Sequence, residues 1–369
     1  MLVNAGTDQR YRIGFLQTVM VGNMYRYKLL RDHVEADATV DAHWYPLRSW
    51  VMDDWLKVVP AWLRVRLRHL FDSARLFTAR RLDAVVVHAP EMYGPYGTFH
   101  GLARLSSVLV ENSDAPTVPN GSLGARLLLR AQRRTALFVP WSHYVSDGIT
   151  RTYPAAADHL VVLHPGLPID QWPMRDPHRS TAERFRLLFV GGDAMRKGLD
   201  TLVEAFATRL GDSCQLDVAT QAMGLPEELA RRIEALPYAR THLDLAPGSP
   251  EIQALFRQAD ALVLPTRYDL SPWVVVEALA TGIPVIASDV GGISDMVIDG
   301  ETGMLTVPDD PPALADAIDR LRALPPERID EIVRNGRRHA EANFDAATNT
   351  ARLLDLVKGA IDDHRRVAG

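Results

Sequence analysis

Two carboxylates eight residues apart, Asp269 and Glu277, flank the predicted start of one helix. The apolar run Ala261–Leu264 before them predicts a buried strand, and Ser271 and Pro272 suit the N-cap and first turn of a helix. Free N–H groups at such a helix start bind phosphate. An anion site with a carboxylate on each side suits a sugar linked to a nucleoside diphosphate, with ribose hydroxyls on one carboxylate and sugar hydroxyls on the other.

The residues after Glu277 predict the rest of a β-loop-α-β unit. The helix is expected to stop at Gly282 and Pro284, and the apolar run 284–287 predicts the next strand, which leads to a turn at Gly291 and Gly292. This order of elements is typical of a parallel sheet. Glu277 stands among valines, alanines and a leucine on this helix, and a charge there needs a partner such as a ribose diol.

The acid-x7-Glu spacing, followed by Ala-Leu-Ala-x-Gly-x-Pro-Val and Ser-Asp-x-Gly-Gly, resembles the donor-site signature of retaining GT-B glycosyltransferases of family four. The resemblance covers about the last 200 residues. Three positions depart from the family pattern, since Asp269 replaces a usual Glu, Pro272 a frequent Gly and Asp295 a frequent Glu. The resemblance implies that the donor contacts the helix start at Leu270, Ser271, Pro272 and Trp273.

A second segment, Gly191 to Gly198, resembles the strand-Gly-Arg-loop-Lys-Gly element of the same family. The resemblance implies that the backbone at Gly191 and Gly192 approaches the donor and that Lys197 contacts its diphosphate. Asp193 stands where the family has an arginine, so Arg196 is the expected replacement. The predicted catalytic residues are Arg196, Lys197, Asp269 and Glu277.

The candidate acceptor and sugar contacts lie in the first half of the chain. Gly22 and Asn23 follow the first strand, where the family often has two glycines, and Asn120 and Ser122 stand where relatives often have a histidine. His88 ends an apolar run and would lie at the ligand-binding edge of an open sheet. A structural hydrogen bond is the alternative role for His88.

The pattern of elements predicts an α/β protein with two Rossmann-like, doubly wound parallel-sheet domains. The resemblance implies that the two domains face a cleft, as in the GT-B fold. The expected domains are 1–165, a linker over 166–180, 181–344, and a last helix over 345–369. The resemblance implies that the first domain binds the acceptor, that the second binds the donor, and that the last helix crosses back onto the first domain. Helices are predicted over 72–81 and 101–110. Predicted strands cover 11–21, 40–47, 84–88, 115–119, 136–139, 159–163, 186–190, 215–219, 241–245, 261–264, 284–287 and 304–307.

Composition narrows the class of protein. The 369 residues are 47% hydrophobic and 24% charged, which is typical of a soluble globular chain. Cys214 is the only cysteine, so we expect no intrachain disulfide and a cytoplasmic, reducing location. The first residues have no apolar signal core, and no run approaches 18 apolar residues.

Charge is uneven along the chain. Residues 1–165 carry 19 Lys/Arg and 14 Asp/Glu, and the segment 55–81 carries seven Lys/Arg and one acid beside two tryptophans. This segment suits a helix on anionic lipid, which would make the protein peripheral at a membrane. A core-packed helix with a solvated cationic face is the alternative. Nucleic acid is not expected as a partner, because the pI is about 6.2 and no reader motif occurs.

The resemblance therefore implies a retaining glycosyltransferase that uses neither a metal nor another cofactor. It would move a hexose-type sugar from a nucleotide-sugar donor, UDP- or GDP-linked, to a hydroxyl of a glycan, lipid-linked or small-molecule acceptor. One alternative is a nucleotide-sugar binding or scaffold protein with weak turnover, which the departures at Asp193, Asn120 and Asp269 favour. The other is a GT-B epimerase, which needs acid/base carboxylates and histidines in the first domain.

Overall fold

The computed structural model describes residues 10–19, 24–48, 82–88, 107–112, 135–175 and 184–368. The chain divides into two compact units. Unit 1 comprises Met1–Leu163 and Ala347–Gly369, and unit 2 comprises His164–Ala346. The basic segment 55–81 and the predicted strand 115–119 lie outside the described residues.

Among its described residues, unit 1 contains a five-stranded sheet with the strand order β2-β1-β3-β4-β5. All neighbouring strands run parallel. The strands are β1 (Tyr11–Val19), β2 (Val40–Arg48), β3 (Ala84–His88), β4 (Ser107–Asn112) and β5 (Leu137–Pro140). The described helices before Leu163 are α1 (Met24–Glu35), α2 (His143–Thr152) and the 3₁₀ segment Pro154–His159.

Unit 2 contains a six-stranded parallel sheet with the strand order β11-β10-β9-β6-β7-β8. The strands are β6 (Phe185–Val190), β7 (Cys214–Thr220), β8 (Ala239–Leu243), β9 (Ala261–Leu264), β10 (Val285–Ser288) and β11 (Gly303–Thr306). The α-helices are α3 (Leu199–Ala205), α4 (Glu227–Glu234), α5 (Pro250–Gln258), α6 (Trp273–Thr281), α7 (Pro311–Arg322) and α8 (Pro326–Asn343). The last helix, α9 (Ala346–Ala368), begins at the end of this unit and continues in unit 1.

Helix α9 completes the core of unit 1. Leu353, Leu354, Val357 and Ile361 of this helix belong to one buried apolar cluster with residues of β1. Two polar contacts reinforce the packing, because the Tyr11 hydroxyl donates to Asp362 at 2.9 Å and the Lys358 ammonium donates to Asp37 at 2.7 Å. Removing this helix would expose the apolar face of β1 to water.

Two predictions for unit 1 are wrong. The sequence predicts a helix over 101–110, but Ser107–Asn112 forms strand β4. Pairing with β3 on one side and β5 on the other favours the strand, since valines suit a buried pleated surface. Residues 159–163 do not form a regular strand; a 3₁₀ helix ends at His159, and Leu160 makes only an isolated bridge with Phe138.

The α/β fold class is confirmed, and so are most of the strands. Ala84–His88 and Ala261–Leu264 begin and end where the sequence predicts, and the other confirmed strands differ by one or two residues at an end. Strands β9 and β10 are buried at every residue, as expected in a parallel sheet covered by helices on both faces. Their apolar composition explains why the prediction is accurate there.

The parallel sheet of unit 2 determines where the site forms. The carboxyl ends of its strands share one edge, so the loops after β6, β9 and β10 meet there. These loops are 191–198, 265–272 and 289–292. Within the described ranges, no helix has the length and apolar character to cross a membrane, and no cluster of His, Cys, Asp or Glu is arranged to hold a metal ion.

Candidate functional site

The loop after β6 turns sharply at the sheet edge. The N–H of Gly191 donates to the carbonyl of Ala219 at 3.0 Å, and the Thr220 hydroxyl donates to the carbonyl of Gly191 at 2.7 Å. Gly192 lies beside the Gln221 side chain, which a Cβ atom would approach to 3.1 Å. These contacts with the neighbouring strand β7 fix the start of the loop.

The same loop then carries the two predicted cations to the end of β9. Gly198 has a φ of 73° and lies directly against Pro265, where a Cβ atom would overlap the Pro265 carbonyl oxygen. This contact requires glycine, because any side chain would clash and the backbone is left-handed. The loops after β6 and β9 are therefore in direct contact, with Arg196 and Lys197 between them.

Lys197 and Asp269 form an ion pair at this junction. The Lys197 ammonium donates to the Asp269 carboxylate, and both side chains are only 12% exposed. Nη1 of Arg196 lies 3.6 Å from the same carboxylate and donates to the carbonyl of Tyr268 at 2.9 Å, while Nε lies 3.3 Å from Asp193. Arg196 and Lys197 thus both contact the Asp269 carboxylate, so three of the four predicted catalytic residues form one cluster.

Helix α6 begins immediately after this cluster. It starts at Trp273 with Pro272 at the N-cap position, and no side chain caps its first N–H groups. The prediction that Ser271 caps the helix is therefore wrong; its backbone N–H donates to Asp269 at 3.3 Å, and its buried hydroxyl has no hydrogen-bond partner within the described ranges. An uncapped helix start next to two cations is a favourable place for an anion.

Glu277 lies on α6 in an apolar environment. The residue is 8% exposed, and burial raises the pKa of its carboxyl from 4.5 to about 8. Within the described part of the chain, the carboxyl accepts no hydrogen bond and forms no ion pair. A buried carboxyl without a partner is costly unless it stays protonated or gains a hydrogen-bonding ligand.

The glycine turn after β10 contacts the loop that carries Asp269. The N–H of Gly292 donates to the carbonyl of Asp269 at 3.1 Å, and Gly291 has a φ of 59°. A Cβ atom on Gly291 would overlap the same carbonyl oxygen. The double glycine predicted to approach the nucleotide thus packs against the Asp269 backbone.

The candidate residues of unit 1 remain predictions. Gly22, Asn23, Asn120 and Ser122 lie outside the described residues. His88 ends strand β3, and its side chain is likewise outside what the structure describes. The site described by the structure therefore consists of unit 2 residues.

Sequence reasoning missed the polar network beneath the two cations. Nη1 and Nη2 of Arg267 donate to Asp200 at 2.8 Å each, and Nε lies 2.7 Å from Asp309. Burial tends to raise the pKa of Asp200, but the hydrogen bonds and charge of Arg267 outweigh it, so the pKa is lowered. Two features of the sequence could have indicated this network: Arg267 lies two residues before Asp269, and Asp200 is an acidic residue in the first turn of α3.

Comparison with known proteins agrees with this arrangement. Residues 184–323 match the family described as Glycosyl transferases group 1. The glycogen synthase of Mycobacterium tuberculosis is 31% identical over 333 residues, which cover 84% of this chain and 70% of that protein. The chain belongs to the group 1 glycosyltransferases.

Two further comparisons, one of sequence and one of structure, bear on this assignment. The D-inositol 3-phosphate glycosyltransferase of Streptomyces griseus is 26% identical over 353 residues, covering 86% of this chain and 71% of that relative. The structure of an Anabaena HepE protein in complex with UDP superposes with a TM-score of 0.73 at 16% identity, covering 94% of this chain and 100% of the other. At that identity the superposition supports the GT-B fold alone. The enzyme class predicted from the sequence, a glycosyltransferase, is therefore confirmed.

Proposed function

We propose that this glycosyltransferase moves a hexose-type sugar from a UDP- or GDP-linked donor to an acceptor hydroxyl, with retention of the anomeric configuration. The observation that carries the proposal is the pair of cations, Arg196 and Lys197, beside the uncapped start of α6. Two positive side chains and free helix N–H groups together suit a diphosphate.

Donor binding requires a partner exchange at Lys197. In the structure its ammonium is neutralised by Asp269, which carries one negative charge. A nucleoside diphosphate carries more charge than one carboxylate and offers more acceptor oxygens, so it can compete for both Lys197 and Arg196. Asp269 then becomes available for a sugar hydroxyl, as the pair of carboxylates flanking the helix start predicts.

Glu277 is the proposed ribose contact. Its carboxyl is buried on α6 without a partner in the described residues, and its pKa of about 8 keeps it mostly protonated at neutral pH. The two ribose hydroxyls would supply the missing hydrogen bonds. Donation from the diol to a carboxylate would also favour the ionised form, so donor binding should lower this pKa.

The proposed reaction needs no protein base. The bond between the anomeric carbon and the diphosphate oxygen breaks, and the acceptor oxygen forms a bond to that carbon on the same face. The acceptor proton passes to the departing phosphate oxygen. Lys197, Arg196 and the helix N–H groups stabilise the negative charge that develops on the leaving nucleoside diphosphate.

The proposed acceptor is a hydroxyl of a glycan, a lipid-linked molecule or a small molecule. The names of two relatives support the small-molecule and the glycan acceptor, since one is named for D-inositol 3-phosphate and the other is a glycogen synthase. Residues 1–165 carry five more Lys/Arg than Asp/Glu, and this excess supports an anionic acceptor.

A donor screen followed by two substitutions tests the proposal. UDP-, GDP-, ADP- and TDP-sugars are compared by thermal shift, and release of nucleoside diphosphate is then measured with the sugar that stabilises the protein most. Lys197→Ala and Arg196→Ala should each lower turnover about 10²- to 10³-fold, as removal of a transition-state contact does. Arg232→Ala is the matched control, because it removes a surface cation that pairs with Glu204 in the same unit. Wild-type turnover in both site variants would overturn the proposed site.

A further inference from the structure

Arg267 binds three separate backbone or side-chain partners at the end of β9. Its two terminal nitrogens donate to the two oxygens of Asp200 at 2.8 Å each, and Nε lies 2.7 Å from Asp309. Nη1 also donates to the carbonyl of Met195. Every nitrogen of the guanidinium therefore has an acceptor, which is the geometry that arginine, and not lysine, can satisfy.

These partners belong to segments that follow two other strands, β6 and β11. Asp200 is in the first turn of α3, which follows β6. Asp309 precedes Asp310, the N-cap residue of α7, which follows β11, and its φ of 56° is unusual for a residue other than glycine. Arg267 thus connects the end of β9 to the starts of α3 and α7. In the sheet, β6 and β11 lie on opposite sides of β9.

The backbone around Arg267 holds the cation loop by a second set of contacts. The N–H of Arg267 donates to the carbonyl of Arg196 at 2.9 Å, and the buried Thr266 hydroxyl lies 3.1 Å from the same carbonyl oxygen. Gly198 is pressed against Pro265. Residues 195, 196 and 198 are therefore each attached to the segment 265–267, with Lys197 between them.

We propose that Arg267 is a positioning residue that sets the distance between the cations of the loop after β6 and the start of α6. The inference rests on the proposed function, because it assigns to Arg267 the geometry of the Arg196–Lys197 diphosphate site. Arg267 does not contact the donor itself, since all its nitrogens are already bound to protein acceptors.

The ion pairs of Arg267 are too exposed to solvent for stabilisation of the fold to be their main role. The side chains of Arg267, Asp200 and Asp309 are 33%, 28% and 55% exposed. Ion pairs with this much access to solvent contribute little to folding stability, because water and salt screen them. Displacement of a reacting group by about 1 Å, by contrast, lowers a rate about 10²-fold.

The test compares four variants of the full chain with the wild type. Arg267→Ala removes the whole network, and Arg267→Lys keeps the charge but not the fork. Asp309→Asn removes the charge of one anchor while Asp200 stays paired. Arg209→Ala is the matched control, because Arg209 also bridges to two carboxylates, Asp316 and Asp319 of α7, away from the cation loop. Each variant is measured for urea stability, for UDP and GDP binding by calorimetry, and for nucleoside diphosphate release from UDP- and GDP-hexoses.

We expect Arg267→Ala and Arg267→Lys to lower kcat about 10- to 100-fold. KM for the donor should change less than fivefold, and the urea midpoint should match that of Arg209→Ala, which keeps wild-type kcat. Asp309→Asn should show a smaller fall in kcat with full stability, and it serves as the readout if Arg267→Ala does not fold.

Two different failures are distinguishable. If Lys197→Ala loses turnover while both Arg267 variants and Asp309→Asn keep kcat within twofold of wild type, the positioning role is wrong and the proposed site stands. An equal loss of kcat in Arg209→Ala would likewise overturn the positioning role. If Lys197→Ala and Arg196→Ala both keep full turnover, the proposed site is wrong, and the inference about Arg267 is wrong with it.

Discussion

Replacement of Glu277 by Gln should make the protein more stable, and by an amount that depends on pH. The carboxyl of Glu277 is buried on α6, and burial raises its pKa from 4.5 to about 8. Glutamine keeps the size and hydrogen-bonding shape of the protonated carboxyl but cannot ionise. The substitution therefore removes only the cost of a buried charge.

The sign follows from the proton bound in each state. Below pH 4.5 the carboxyl is protonated in the folded and the unfolded chain, so it makes no pH-dependent contribution. Between pH 4.5 and about 8 the unfolded chain releases the proton while the folded protein retains it, so the free energy of unfolding falls as pH rises. Above about pH 8 the carboxyl is ionised in the folded and the unfolded chain, and the full cost of burying its charge lowers the free energy of unfolding.

The size of the effect comes from the same two pKa values. At about 1.4 kcal/mol per pKa unit, the interval from 4.5 to about 8 corresponds to roughly 5 kcal/mol at pH 9. At pH 7 the unfolded carboxyl has been ionised over part of that interval, and the penalty is roughly 3 kcal/mol. Both values are large beside the net stability of a typical domain, which is about 5–15 kcal/mol.

Urea unfolding of wild type, Glu277→Gln and Glu234→Gln at pH 5, 7 and 9 measures the effect. Glu234 is the matched control, because it is an exposed carboxylate at the end of α4. The free energies of Glu277→Gln and wild type should differ by less than about 1 kcal/mol at pH 5 and separate as pH rises, while Glu234→Gln stays parallel to wild type. A difference between Glu277→Gln and wild type that is the same at all three pH values would refute the reasoning.

Three further predictions concern the loops and the basic segment. Asp269→Asn should bind UDP or GDP several-fold more tightly in calorimetry, because it no longer competes for Lys197, and unchanged or weaker binding would contradict the partner exchange. Gly291→Ala should lower the free energy of unfolding by about 1–3 kcal/mol in urea titrations, because of its positive φ and the clash with the Asp269 carbonyl. If the segment 55–81 binds anionic lipid, the chain should sediment with anionic vesicles at low salt, and replacing Arg64, Arg66 and Arg68 by Gln should release it; sedimentation insensitive to salt would argue against that role.

The local features of the donor half could be predicted from the sequence because they depend on neighbouring residues. The run Ala261–Leu264 is apolar at every position, which predicts a strand buried on both faces. Gly282 ends α6 in the left-handed conformation that glycine favours, with a φ of 79°. Glu277 also stands out in the sequence, because it is the only charged residue of this apolar helix.

Predictions failed where a neighbour distant in sequence decides the conformation. Ser107–Asn112 is a strand because β3 and β5 pair with it on both sides, and no local pattern of the segment contains that information. The Ser271 prediction failed for a local reason instead, because its N–H contacts Asp269, two residues earlier, and the helix begins two residues later. Local propensity is weak compared with such pairing and loop contacts.

The sequence by itself determined which residue types are available for the site: two adjacent cations, two carboxylates and the glycine pairs at 191–192 and 291–292. Only the tertiary structure decided their partners. Lys197 pairs with Asp269 and Arg267 with Asp200, across 72 and 67 residues of chain. The reason is that the parallel sheet brings the carboxyl ends of β6, β9 and β11 to one edge, so electrostatic partners are set by which loops meet in space.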